Sequence, residues 1–130
     1  MIATIRQLTY ALLMSWGEDT MLFGDFDIRT PSLNQCAPTA LVVQDYLGGD
    51  MLRRMMDNGY SHYWNRLPDR QEIDLSADQL RSTGRLFVGP VIVRERAYVL
   101  SFPDTLNRYT ILKQRVAEEL ASPSFGRLEA

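Results

Sequence analysis

The feature that most constrains this chain is "CAPTALVVQDYLGG", residues 36 to 49. It is an apolar run with a proline near its start and a glycine pair at its end. Pro38 has no amide hydrogen, so it fits a helix only in the first turn, where that hydrogen would have no partner. Gly48 and Gly49 form a strong C-terminal stop signal. The bracket leaves one reading: a helix over Cys36 to Leu47, with Cys36 at the cap or first position. Cys36, Ala40, Val43 and Leu47 recur at helical spacing, so Cys36 is expected on the buried face.

The rest of the chain supplies what such a helix packs against. Ile5, Leu8, Leu12 and Trp16 give one buried stripe and predict a helix over residues 2 to 16. Residues 17 to 35, with their glycines and acids, read as a long irregular loop of the kind that walls a functional cleft. Aromatic and alternating residues from Tyr60 to Leu67 predict a strand, Pro68-Asp69 a turn, and Gln71 to Leu75 the returning strand. "DMLRRMMD", with Arg53 and Arg54, reads as a solvated helix end or edge. Ser76, Asp78 and Gln79 suggest a short helix start. "GRLFVGPVIV" offers a third strand, broken at Gly89-Pro90. Asp104 or Thr105 is expected to cap a last helix carrying Leu106, Tyr109, Leu112 and Val116, and the tail after Pro123 to be loose. The expected fold class is α+β: one domain over residues 1–130, with the cysteine helix on a short antiparallel sheet and helices flanking it at both ends.

Composition narrows the function. The apolar share of 45% and charged share of 23% are those of an ordinary globular protein, and a net charge of -2 advertises neither nucleic acid nor an anionic membrane. No apolar run is long enough to span a bilayer. The N-terminus lacks a basic region and a small-residue cleavage site, and a lone cysteine forms no internal disulfide, so a reduced, cytoplasmic setting is expected. One cysteine and one histidine do not make a Cys/His zinc cluster, and no metal or other cofactor is expected.

What remains is a thiol at a helix start. Helix N-termini and nearby imidazolium groups both favour thiolate, the nucleophilic form. The imidazole has to be His62, the only histidine. Asp74, on the returning strand, is the candidate to hold its tautomer and balance its charge. Parity makes the idea testable. With an odd-length turn centred on Asp69, Trp64 opposes Asp74, and His62 and Asp74 become diagonal neighbours on one face. An even-length turn puts them on opposite faces. Trp64 would then shield the pair from water, while Gln35 and Asn34 could offer amide donors beside the Cys36 N–H as an oxyanion hole. The competing reading makes Cys36 a core thiol, His62 a strand histidine and Trp64 core filling. Tyr60, Tyr63 and Trp64 then form a binding face. A thiol sensor is a third option.

"QCAPTALVVQDYLGG", "SHYWNRLP" and "EIDLS" resemble the YunG-like family of small bacterial proteins, over nearly the whole chain from Ser15-Trp16 to "RYTILKQRV". That family has no assigned activity. More distantly, a cysteine at a helix start, "H-x-W" on a strand and an aspartate after "E-I" are similar, over residues 34 to 76, to the core of papain-like and transglutaminase-like folds. This second resemblance implies Cys36 as nucleophile, His62 as general base and acid, and Asp74 as orienting carboxylate. The substrate would be a peptide or small-molecule amide or thioester. The position six residues before the cysteine, where papain-like enzymes often carry an oxyanion glutamine, is Thr30, so Gln35 would have to substitute.

Overall fold

A computed structural model describes residues 3–77 and 84–122. The expected helix start at Asp78-Gln79 and the tail after Pro123 lie outside the described residues. The fold is α+β: helices α1 (Ile5–Ser15), α2 (Cys36–Leu47), α3 (Arg96–Leu100) and α4 (Pro103–Leu120), and a sheet of strands β1 (Asp50–Met55), β2 (Ser61–Arg66), β3 (Glu72–Ile73) and β4 (Ile92–Arg94). Every pairing is antiparallel, in the order β3-β2-β1-β4.

Helix α1 begins three residues later than the periodicity suggests. Thr4 and Gln7 form a capping box there, each side chain satisfying the other's backbone N–H. Leu8, Leu12 and Trp16 are buried as expected, whereas Ile5, on the first turn, is 37% exposed.

Helix α2 has the predicted bounds but more than the predicted burial. It packs on α4 and also on β2, so a single apolar stripe would not suffice. Leu41 and Val42 are buried as fully as Ala40 and Val43, while Leu47 is only partly covered. A helix apolar on most of its circumference is one enclosed by neighbours.

Strand β1 corrects the reading of residues 50–57 as a helix end or solvated edge: it is a central strand, between β2 and β4. The glycine pair explains why. Gly48 and Gly49 both adopt positive φ, and a Cβ on Gly49 would fall 2.1 Å from the Arg66 carbonyl oxygen. Only glycine lets the chain reverse so tightly that Asp50 pairs with Arg66. The two arginines then find partners beside the sheet. Arg53 Nε donates to Ser61 Oγ at 2.8 Å, and Arg54 donates to the Gly89 carbonyl with its guanidinium over the Phe87 ring.

"GRLFVGPVIV" does supply a strand, β4, on the far edge of β1. Phe87 bridges to Met56 before the Gly89-Pro90 break. Helix α4 starts differently from the expectation. Pro103 occupies its first turn, and the capping position is Phe102, which makes no side-chain cap. Asp104 instead pairs with Arg108 one turn on. The inward face is Arg108, Tyr109, Leu112, Val116 and Leu120, with Leu106 45% exposed.

Candidate active site

Three segments meet at the start of α2. The first is the long loop, which contains a short 3-10 turn (Glu18–Thr20) and is fastened at both ends. Gln35 Nε2 donates to the Gly17 carbonyl and Asn34 Nδ2 to the Phe23 carbonyl, both at 2.9 Å. Asp19 is paired with Arg115 of α4. The two amides considered as oxyanion donors therefore brace the loop. Gln35 is fully buried, and its Oε1 has no hydrogen-bond partner among the described residues.

The second segment is the helix start itself. The first intrahelical bond runs from Thr39 N–H to the Gln35 carbonyl. Cys36 and Ala37 thus lie in the turn whose N–H groups have no acceptor within the helix, and Pro38 adds none to satisfy. Cys36 is 9% exposed, and its Sγ lies 3.6 Å from the Ser61 carbonyl oxygen.

The third is the β2–β3 hairpin. Leu67 N–H donates to the Gln71 carbonyl, leaving Pro68, Asp69 and Arg70 as the turn, with Arg70 at φ 75°. A three-residue turn closed by a left-handed residue is a common hairpin solution. Its odd length gives the register Asn65↔Ile73 and Arg66↔Glu72, which carries Asp74 opposite Trp64 and diagonal to His62. His62 Nε2 and Asp74 Oδ2 are 2.6 Å apart. The other carboxylate oxygen accepts from both the N–H and the hydroxyl of Ser76, at 3.1 Å each, which fixes its rotation.

His62 has no solvent exposure. Trp64 stacks along it at 5.8 Å and Phe87 leans on it at 5.9 Å. Trp64 is itself oriented by a bond from Nε1 to Glu72. Burial alone would push the imidazole pKa down. The Asp74 carboxylate and the Cys36 sulfur, each a hydrogen-bond partner of the ring, outweigh it and raise the pKa from 6.5 to about 9. The carboxylate and the sulfur on the ring thus both favour its charged form.

Cys36 opens on a cleft of about 210 Å³, walled by Leu22, Phe23, Tyr60, Tyr63 and Phe102 and floored in part by Arg108. Tyr60 and Tyr63 line it, but Trp64 does not. Trp64 borders a separate hollow with Glu72, Asp74 and Phe87. Among the described residues no three His, Cys, Asp or Glu side chains converge as metal ligands, and no helix is long and apolar enough to cross a membrane.

The family model described as YunG protein matches residues 4–121. The chain belongs to the YunG family. It is also 30% identical over 63 residues to "Uncharacterized protein YunG" of Bacillus subtilis (strain 168), a stretch covering 48% of this chain and 52% of that relative. The chain thus spans about half the length of the curated relative it matches. No solved structure matches, and the likeness to papain-like and transglutaminase-like cores draws nothing from these comparisons.

Several residues around this candidate site are not singled out by the sequence. Ser76, which the sequence suggests only as a helix start, anchors Asp74. Phe87, in sequence only part of a predicted strand, leans on His62. Arg108 gave a usable signal: it is four residues before Leu112 and eight before Val116, a charged residue on an otherwise apolar stripe.

Proposed function

We propose that Cys36, His62 and Asp74 form an acyl-transfer site of the papain-like or transglutaminase-like kind. The observation that carries this reading is the 2.6 Å His62–Asp74 pair, buried against Trp64, whose imidazole also engages the only thiol in the chain beside an open cleft. Asp74 holds Nε2, so Nδ1 is the nitrogen that exchanges a proton with Cys36. The thiolate attacks the carbonyl carbon of an amide or thioester, forming a C–S bond. The developing oxyanion meets the N–H groups of the first turn of α2 that have no acceptor within the helix. His62 passes its proton to the leaving amine or thiol as the old C–N or C–S bond breaks. Water, or an amine, then attacks the acyl-enzyme and gives its proton back to His62, and the thiolate leaves. Asp74 keeps the ring oriented and charged without taking a proton itself. Trp64 and Phe87 keep water from the histidine.

A second reading, a non-catalytic peptide- or partner-binding module, is favoured by the aromatic wall of Phe23, Tyr60 and Tyr63 and by the low exposure of Cys36. Alkylation with iodoacetamide across pH separates the two. The acyl-transfer reading requires a rate already high near neutral pH that falls about 100-fold in His62→Ala. Alkylation that occurs only after denaturation leaves the binding module. Fast alkylation indifferent to His62→Ala points to a thiol sensor.

A further inference from the structure

Among the described residues, the cleft beside Cys36 is lined by one buried cation and no carboxylate. Arg108 is 5% exposed yet reaches the cleft wall, and no Asp or Glu is among the described residues that line it. Its Nε is tied to Asp104 at 2.9 Å, but that carboxylate, in the first turn of α4, is 68% exposed. The outer end of the guanidinium is far less satisfied. Nη2 makes one long bond, 3.3 Å, to the neutral hydroxyl of Thr105, and Nη1 makes none among the described residues. A surface pair between residues four apart accounts for Nε alone. It leaves Nη1, which is not one of the buried unpaired atoms among the described residues, open to an anion in the cleft that Arg108 lines. A carboxylate fits the guanidinium fork end-on through two parallel bonds.

We propose that Arg108 anchors a carboxylate of the acyl substrate, so that Cys36 acts on small amides or thioesters that also bear a free carboxylate. The inference rests on the acyl-transfer reading for its chemistry and on Arg108 for its selectivity. Size agrees with it. A cleft of about 210 Å³ is below the roughly 300 Å³ at which drug-sized ligand sites begin, so it takes a fragment such as one acylated amino acid. The aromatic wall would cover the apolar part of that fragment, leaving the two polar ends to Cys36 and Arg108.

The test is binding of N-acetylalanine against N-acetylalaninamide to the full chain, followed by NMR. The two probes differ only in the charge that Arg108 would read. The acid is expected to bind at least tenfold more tightly than the amide. That preference should shrink to within twofold in Arg108→Gln. Asp104→Asn, an exposed change unlike one in the core, removes the competing carboxylate. It is expected to strengthen acid binding a few-fold while leaving the amide unmoved, and it decides the matter should Arg108→Gln not fold. Equal affinity for the two probes, no binding of either at millimolar concentration, a preference that survives Arg108→Gln, or no gain in Asp104→Asn overturns the anchor. Iodoacetamide alkylation of wild-type Cys36 is scored separately. An unreactive thiol removes the acyl-transfer reading and leaves the acid-over-amide preference as an independent result.

Discussion

Helix α2 carries a polar cluster at each end, and the two are built from similar parts. At its start, His62 and Asp74 are 2.6 Å apart beside Cys36. Near its end, Tyr109 donates to Asp45 and accepts from Arg96, both at 2.6 Å, and Arg96 pairs with Asp45 directly. Each has a ring with a titratable atom and a carboxylate. The difference is saturation. Arg96 also donates to the Leu41 carbonyl and to Gln44, which ties up the C-terminal end of the helix, where a cation is favoured. Burial and the Asp45 carboxylate push the Tyr109 phenol up to about 12, out of reach of ordinary chemistry. At the other end the sulfur beside His62 lines a cleft and is only 9% exposed. Matched polar groups make a brace, and the same groups with one reactive atom over make a candidate site.

The largest expected difference between the two clusters is in their response to pH. His62 has a folded-state pKa raised above its ordinary value. Its contribution to stability is therefore fully present below about pH 6.5 and is lost as pH rises through about 9. The loss is up to about 3 kcal/mol, since each unit of pKa corresponds to about 1.4 kcal/mol. Tyr109 stays neutral across that window. Urea unfolding of the wild type between pH 6.5 and 9.5 should show this decline and His62→Gln should flatten it; an unchanged slope in the variant would refute the assignment.

Next in size is the cost of opening the brace. Asp45→Ala takes the carboxylate from Arg96 and the acceptor from the Tyr109 hydroxyl, while the bonds of Arg96 to Leu41, Gln44 and Tyr109 remain. The ion pair stands partly exposed, so the expected loss is about 2 kcal/mol, below the full cost of breaking a buried pair, and is read from the denaturation midpoint. Its iodoacetamide rate should be that of the wild type within twofold.

The same chemical change made at the two ends gives the cleanest contrast. Asp74→Asn should slow Cys36 alkylation at pH 7 about tenfold, equivalent to about 1.4 kcal/mol, through loss of the charge that holds His62 protonated. Asp45→Asn should leave that rate unchanged. Equal effects would mean that reactivity follows general loosening of α2 and not the His62–Asp74 pair. The smallest effect belongs to Tyr109→Phe, which removes two hydrogen bonds from a cluster that keeps its Arg96–Asp45 pair. About 1 kcal/mol of stability is expected, with no change in thiol reactivity.

Much of this was legible in the sequence where a backbone constraint was strong. Pro38 and the glycine pair fixed the bounds of α2. The span from Pro68 to Arg70 left the turn length to be resolved but named the geometry that decides whether His62 and Asp74 meet. What was not legible depended on tertiary partners. Strand β1 has arginines and methionines in place of β-branched residues, so its propensity is weak. Pairing on both edges and the reversal at Gly49 make it a strand regardless. The start of α4 misled for a different reason. Asp104 has the chemistry of a cap, but Pro103 had already set the first turn, and the carboxylate turned to Arg108. The amides of Gln35 and Asn34 face the same competition, since a donor near a reactive group is also a donor near a loop that needs fastening.

The Pro68–Arg70 turn has a consequence for how this chain can vary. Exposed turn tips are ordinarily where polypeptides accept extra residues at little cost. Here one additional codon would move Asp74 to the far side of its strand from His62 while leaving both residues, and every wall of the cleft, unaltered in identity. A comparison that checks only whether cysteine, histidine and aspartate are present would score such a gene as intact. The spacing from His62 to Asp74 is thus as much a part of the proposed site as its three side chains.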